Sequence, residues 1–154
     1  MPVTIRAATP AEVPAVRALL PRLAAFELPA TRDPRHLWEG DAEILAAWGR
    51  HEAPDVFVQV AEDEHAQVIG ATITTLRPEP LSHAPSAHLE VLVVAESAVG
   101  QGVGRALIDA MEVECRARGV GSITLHVFAS NAKARALYER SGYEGELLRY
   151  IKWL

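Results

Sequence analysis

Gly100, Gly102 and Gly104 stand at alternate positions between an apolar, β-branched run that stops at Ala95 and an amphipathic helix pattern that closes on Gly119. Glycine lets a ligand approach the backbone without side-chain obstruction. A loop that opens directly into a helix also offers unpaired N–H groups and the positive end of the helix dipole, a setting that favours an anion, typically phosphate. One glycine would serve an ordinary strand-to-helix turn. Three within five residues favour a phosphate-bearing ligand. It is not an ordinary dinucleotide. Counting G-x-G-x-x-G from Gly102 puts Leu107 in the third place, and counting from Gly100 puts Arg105 there. Nor is the loop a Walker A sequence, because Gly104 is followed by Arg105 rather than by Lys and Ser or Thr.

His88 and Glu90 lie on the strand that feeds this loop, two residues apart and so on one face of a regular strand. A carboxylate inside the apolar run HLEVLVV is costly to bury, which marks it for a use or for an ion pair at a solvated strand end. Either residue is a candidate base. The H-x-E spacing also occurs in zinc deaminases, but that chemistry needs a P-C-x-x-C partner and Cys115 is the single cysteine. No H-E-x-x-H pair and no G-x-S-x-G elbow occur, so no metal site and no serine-hydrolase triad is expected. His126, between Leu125 and Val127, reads as a sheet-face histidine, and Cys115 as mid-helix packing.

Mixed elements must position these residues. Val3 and Ile5 alternate with polar neighbours as a short strand. T-P-A-E at 9–12 is a helix start, with Thr9 as cap, Pro10 first in the helix and Glu12 as capping-box partner. Pro14 predicts an irregular beginning. Residues 28–40 read as irregular, followed by a helix capped by Asp41 and stopped by Gly49. Residues 56–76 read as a hairpin around an acidic turn, and the proline-rich stretch 77–88 as a loop. The runs 88–94 and 122–128 read as central strands. Residues 130–142 form a helix with Ser130 or Asn131 at its cap, and the C-terminal residues finish as a strand. Strands and helices alternate in the second half while the first half holds a hairpin, which predicts an α/β fold with a mixed sheet in a single domain over 1–154.

Composition narrows the class. The chain has 154 residues, 49% hydrophobic and 23% charged, an ordinary globular mixture. The net charge of −5 and the scattered basic residues make duplex nucleic acid a poor partner. No secretion signal and no apolar run of about 20 residues is present, so no membrane partner and a cytoplasmic location are expected.

The loop from Val94 to Gly104 resembles that of the GNAT superfamily of acyl-CoA-dependent N-acetyltransferases, which runs roughly V-x-P-x-x-R-G-x-G-I-G. Asn131, Ala134, Leu137, Tyr138, Gly142 and Tyr143 match the family's next element in register. Glu96 and Val99 depart from it, standing where Pro and Arg or Gln are common. The resemblance implies acetyl-CoA as co-substrate, held by Leu92, Val93, Val94, Val99, Gly100, Gln101, Gly102, Val103, Gly104, Arg105, Asn131 and Ala134. It implies direct attack by a primary amine, with Tyr138 protonating the leaving thiolate and Glu90 or His88 as base, or a water chain in their place. A small-molecule amine or a peptide N-terminus would be the acceptor, and a homodimer a common assembly. Acidic residues at 62–64 and at Glu39, Asp41 and Glu43 would draw a cationic acceptor. The rival reading from another class is a non-catalytic acyl-CoA-binding sensor or interaction domain on the same scaffold.

Overall fold

The computed structural model describes residues 2–154. Its sheet has five strands in the order β1-β2-β3-β4-β5: β1 Thr4–Ala7, β2 Val56–Glu62, β3 Val68–Pro78, β4 Pro85–Val94 and β5 Ile123–Leu125. The first three pairings are antiparallel and β4 pairs β5 in parallel. Four α-helices flank it: α1 Val13–Leu19, α2 Glu39–Gly49, α3 Val103–Ala117 and α4 Ala132–Arg140. This is the mixed α/β arrangement the sequence predicts.

The two sheet faces are covered by different helices. Val16 and Leu20 from the first helical segment and Leu45 from α2 pack on Val58, Val60, Ile73, Val91 and Val93. The opposite face buries Ile108, Met111 and Cys115 of α3 against Phe57, Ala87 and Leu89. Fully burying such side chains stabilises by about 1.5–3 kcal/mol each. Cys115 is wholly enclosed, its Sγ 3.7 Å from Met111 Sδ, and burial pushes its thiol up to about 11. Its role here is packing.

The capping box at 9–12 forms, but as a 3-10 turn over Pro10–Glu12 ahead of α1, the irregular start that Pro14 foreshadows. Thr9 N donates to Glu12 Oε1 at 2.9 Å. The same carboxylate accepts from Arg6 at 2.8 and 2.6 Å, while Arg6 reaches Glu62 at 2.9 Å. These bonds tie β1 and β2 to the first helical segment and hold the Glu12 carboxyl down to about 2.

Several boundaries differ from the reading of the sequence. The helix expected to start behind Asp41 begins two residues earlier, at Glu39, so Asp41 lies inside its first turn and does not cap it. The loop expected over 77–88 shrinks, because β3 and β4 stay paired out to Pro78 and Pro85. Glu79 gathers the tip there by accepting from the N–H groups of Leu81 and Ser82. The strand expected over 122–128 is only three residues long and lies at the sheet edge instead of its centre. The C-terminal segment does not finish as a strand. Its last backbone bond to the body runs from Tyr143 N to Tyr138 O, and Leu147, Leu148 and Tyr150 are exposed. Among the described residues β5 therefore pairs on one side only, with β4.

Candidate active site

A β-bulge opens the site. Ile73 pairs with Val91 and Thr74 with Leu89, so Glu90 is left without a cross-strand partner. An extra residue of this kind kinks the strand and re-aims side chains. On the other side, β5 leaves β4 after the Leu89–Leu125 pair. The parallel strands therefore part just where the bulge stands. Between β4 and residues 126–128 a cleft of about 460 Å³ forms, with α4 and the glycine loop completing its walls. That volume is in the range of small-molecule sites.

The glycine loop lines one end. Gly100 and Gly102 have φ of +80° and +78°, the left-handed region that side chains with a Cβ resist. Gly102 precedes the first residue of α3, so the N–H groups of the first turn point outward without helical partners. Gly104 serves packing instead. A Cβ there would come within 3.3 Å of Leu137 Cδ2, so its absence lets α3 and α4 approach. Val99 lines the cleft and is partly exposed. Gln101 is outside the lining and donates its amide to Ser97 O at 3.2 Å. Arg105, Lys133 and Arg140 add positive charge to the cleft wall made by α3 and α4. Leu92, Val93, Val94, Val103 and Ala134 supply apolar wall, and Asn131 caps α4 by accepting from Ala134 N at 3.3 Å.

Tyr138 enters the cleft from α4, on the face it shares with Ala134 and Asn131. Its ring meets Tyr143 edge-on, with centroids 6.0 Å apart. Its hydroxyl makes no side-chain hydrogen bond among the described residues, and burial pushes it up to about 12. At neutral pH it is a phenol with a proton to give. Tyr143 is committed elsewhere, donating to Glu112 Oε2 at 2.9 Å.

Glu90 lines the cleft and His88 does not. His88 is buried, with Nδ1 hydrogen-bonded to Thr124 Oγ1 at 2.7 Å and its ring 4.8 Å from that of His126. Burial, with help from Arg77 and His126, lowers it to about 4. The ring is therefore neutral and ties β4 to β5. His126, read from the sequence as a sheet-face residue, instead follows β5 and lines the cleft. The nearest cation to Glu90 is Arg77, at 3.9 Å, beyond hydrogen-bond length.

The sequence offers residues 24–50 only as a general frame for the acceptor side; within it Phe26, Leu37 and Asp41 line the cleft, and so does Arg22 just ahead of it, which sequence reasoning did not place. Phe26 stacks with Phe128 at 5.5 Å, and Arg22 Nε donates to Val94 O at 3.1 Å, pinning the helical segment to the end of β4. Of the acidic trio on α2, Glu39 and Glu43 are exposed while Asp41 turns inward. A signal existed for it. On a helix that buries Ala42 and Leu45, position 41 borders the buried face. The hairpin acids 62–64 lie instead around the β2–β3 turn.

No group of three or more metal-ligating side chains is gathered among the described residues. No helix among them is long and apolar enough to cross a membrane.

A family model described as the acetyltransferase (GNAT) family matches residues 20–143. A mycothiol acetyltransferase of Beutenbergia cavernae is 48% identical over 60 residues, covering 39% of this chain and 20% of that protein. The [ribosomal protein bS18]-alanine N-acetyltransferase of Escherichia coli K12 is 47% identical over 49 residues, 32% of this chain and 33% of that one. The chain thus spans a third or less of the length of these curated relatives. Among solved structures, a variant of the BH1408 protein from Bacillus halodurans superposes with a TM-score of 0.78 over 98% of this chain and 99% of that chain, at 22% identity. The glycine loop, the parted parallel strands and the match over most of the chain agree, and the protein belongs to the GNAT acetyltransferase family.

Proposed function

We propose that this protein is an N-acetyltransferase that passes the acetyl group of acetyl-CoA directly to a primary amine, both substrates being bound at once. The observation that carries this reading is one continuous cleft that joins the outward N–H groups and cations of the glycine-loop end to Tyr138 and Glu90.

The residues suit the co-substrate. Glycines 100 and 102 have open space where a Cβ would stand, so an anion can sit against the backbone. The N–H groups over 100–105 would take the pyrophosphate, with Arg105, Lys133 and Arg140 in reach of phosphate charge. The apolar wall of Leu92, Val93, Val94 and Ala134 suits a flexible, weakly polar arm. Acetyl-CoA supplies an activated thioester carbonyl.

Two proton demands remain for the chain itself. An alkyl amine with pKa about 10.4 is mostly protonated at pH 7, and freeing it from bulk costs about 4–5 kcal/mol at 1.36 kcal/mol per unit. A carboxylate at the bulge relieves part of that cost, and Glu90 is placed for it. The leaving thiolate needs a proton, and Tyr138 holds one. His88, neutral and bonded to Thr124, keeps β4 and β5 in register beside the bulge.

The acceptor is a cationic small amine or a peptide N-terminus. Carboxylates on the acceptor wall support the first, and the similarity to an enzyme named for a ribosomal-protein alanine supports the second. The test is thiol release from acetyl-CoA with panels of polyamines, aminoglycosides, amino acids and unblocked peptides. Amine-dependent release with at least one class is expected. Tight acetyl-CoA binding with no release in any panel would favour a non-catalytic acyl-CoA-binding domain.

A further inference from the structure

Asp41 is the one acid of its helix turn that faces the cleft. It has no ion pair and no side-chain hydrogen bond among the described residues, and the cleft it lines also presents the apolar Phe26, Leu37 and Leu89. Across from it stands Glu90, close enough for the two charges to repel. Two carboxylates share one partly apolar cleft, and the cation beside them, Arg77, stands 3.9 Å from Glu90 and makes no ion pair with Asp41, an arrangement that a cationic ligand would relieve.

We propose that Asp41 receives the proton which a cationic primary amine must shed before attack, while Glu90 holds the ammonium beside it. This assignment rests on the acetyl transfer proposed above, moves the base from Glu90 to Asp41, and leaves Glu90 to position the ammonium. One proton passes from R–NH3+ to the Asp41 carboxylate. The freed lone pair forms the C–N bond as the C–S bond breaks. A second proton leaves nitrogen and reaches the departing sulfur by way of the Tyr138 hydroxyl, which gives one proton and takes one. The third stays on the amide, and Asp41 returns its proton to water.

The surroundings fit this division. Burial first and the Glu90 charge second raise Asp41 to about 7, so near neutral pH it both loses and gains a proton readily. Arg77 stands 3.9 Å from Glu90 and makes no ion pair with Asp41. Arg22 is committed to the Val94 carbonyl, and Arg17 lies over the Trp38 ring. His88 stays neutral down to about 4 and Tyr138 stays protonated up to about 12, so neither competes across neutral pH. Glu39 and Glu43 on α2 point to solvent. His126 is the other titratable group on this wall, and a His126→Gln variant controls for it.

The experiment measures kcat/KM against pH for the full chain, with acetyl-CoA and cadaverine as acceptor. The wild-type profile should show an acidic limb near pH 7 that His126→Gln preserves. Asp41→Asn should remove that limb and lower kcat/KM about ten- to a hundred-fold at neutral pH, the gap closing as the amine deprotonates on its own. Asp41→Glu should restore the limb. Glu90→Gln should move it to lower pH, since Asp41 then loses its like-charged neighbour. Acetyl-CoA affinity by calorimetry should be the same for all variants, which reports their folding. Should Asp41→Asn misfold, the direction of the Glu90→Gln shift decides alone. A limb unchanged in Asp41→Asn, or abolished by Glu90→Gln, overturns the role of Asp41 while leaving the transfer reaction standing. Wild-type protein that releases no thiol with any amine overturns the transfer and this assignment together.

Discussion

The two ends of the cleft are built in opposite ways. The glycine-loop end comes from one short stretch of chain, residues 99–105 with Gln101 turned away, and presents backbone N–H groups at a helix terminus. The opposite end, proposed above for the acceptor, is assembled from side chains that arrive from α2, the bulge of β4, the residues after β5 and α4. The charges differ by element as well, with Asp41 and Glu90 on α2 and β4 against Arg105, Lys133 and Arg140 on α3 and α4. A site for a fixed, anionic co-substrate can be a local motif. A site that must tell amines apart is set by tertiary placement, so the two ends should fail differently when altered.

The largest effect is expected where the ends meet. Tyr138→Phe should lower kcat about ten- to a thousand-fold while acetyl-CoA affinity stays nearly constant, as steady-state kinetics beside calorimetry would show. An unchanged kcat would return Tyr138 to a packing role against Tyr143.

Gly102→Val should damage the other end only. Its Cβ would meet no protein atom within 4 Å, so the fold has room for it. The φ of +78° is strained by about 1–2 kcal/mol for a residue with a Cβ, and the branched side chain would intrude on the anion's approach. Acetyl-CoA binding should weaken about tenfold or more, since each 1.4 kcal/mol is a factor of ten. Equal affinity in the variant would mean that the phosphates lie elsewhere.

Much of this contrast is visible in the sequence, and the boundary of what is visible has physical causes. The glycine spacing, the 9–12 capping box, the 56–76 hairpin and the apolar register of α3 are all short-range patterns, and the structure contains each of them. The bulge at Glu90 is hidden because apolar residues on both faces of β4 mask the loss of alternation. His88 and Glu90 consequently look equivalent in sequence, yet one bonds Thr124 and the other lines the cleft. The start of α2 turns on two residues, and that small shift carries Asp41 from a cap to the cavity wall. The run of residues 122–128 has the composition of a strand, but its length is fixed by where β4 stops offering a parallel edge. Likewise the alternating C-terminal residues suit a strand only if an edge long enough to receive them exists.

A smaller effect concerns stability and should separate Asp41 from ordinary surface acids. Its folded pKa of about 7 lies above the ordinary 3.8, so the native state holds the proton more tightly than the unfolded chain. Stability therefore falls as pH rises between those values. Asp41→Asn should melt higher than wild type above neutral pH, by about 2–4 °C for each kcal/mol recovered, and the advantage should vanish in acid. A variant less stable at every pH would contradict a cavity-facing carboxylate.

Glu12→Gln should have the mildest consequence. Its folded pKa of about 2 lies below the ordinary 4.5, so its contribution is complete above the latter and lost as pH falls through the former. At neutral pH the variant should melt about 2–4 °C lower, a cost of about 1 kcal/mol, and should converge on wild type in strong acid. Acetyl-CoA affinity should not change, because the Arg6–Glu12–Glu62 network lies outside the cleft.

The central claim is that one cleft receives acetyl-CoA with its phosphates on the glycine loop and its thioester toward Tyr138 and Glu90. Titration of the 15N-labelled protein with acetyl-CoA, followed by amide chemical shifts, tests it most directly. The account predicts saturable shifts concentrated at residues 99–105, at 92–94 and at the first turns of α4. Absence of saturable shifts at millimolar acetyl-CoA, or shifts confined to surfaces away from these residues, would contradict it.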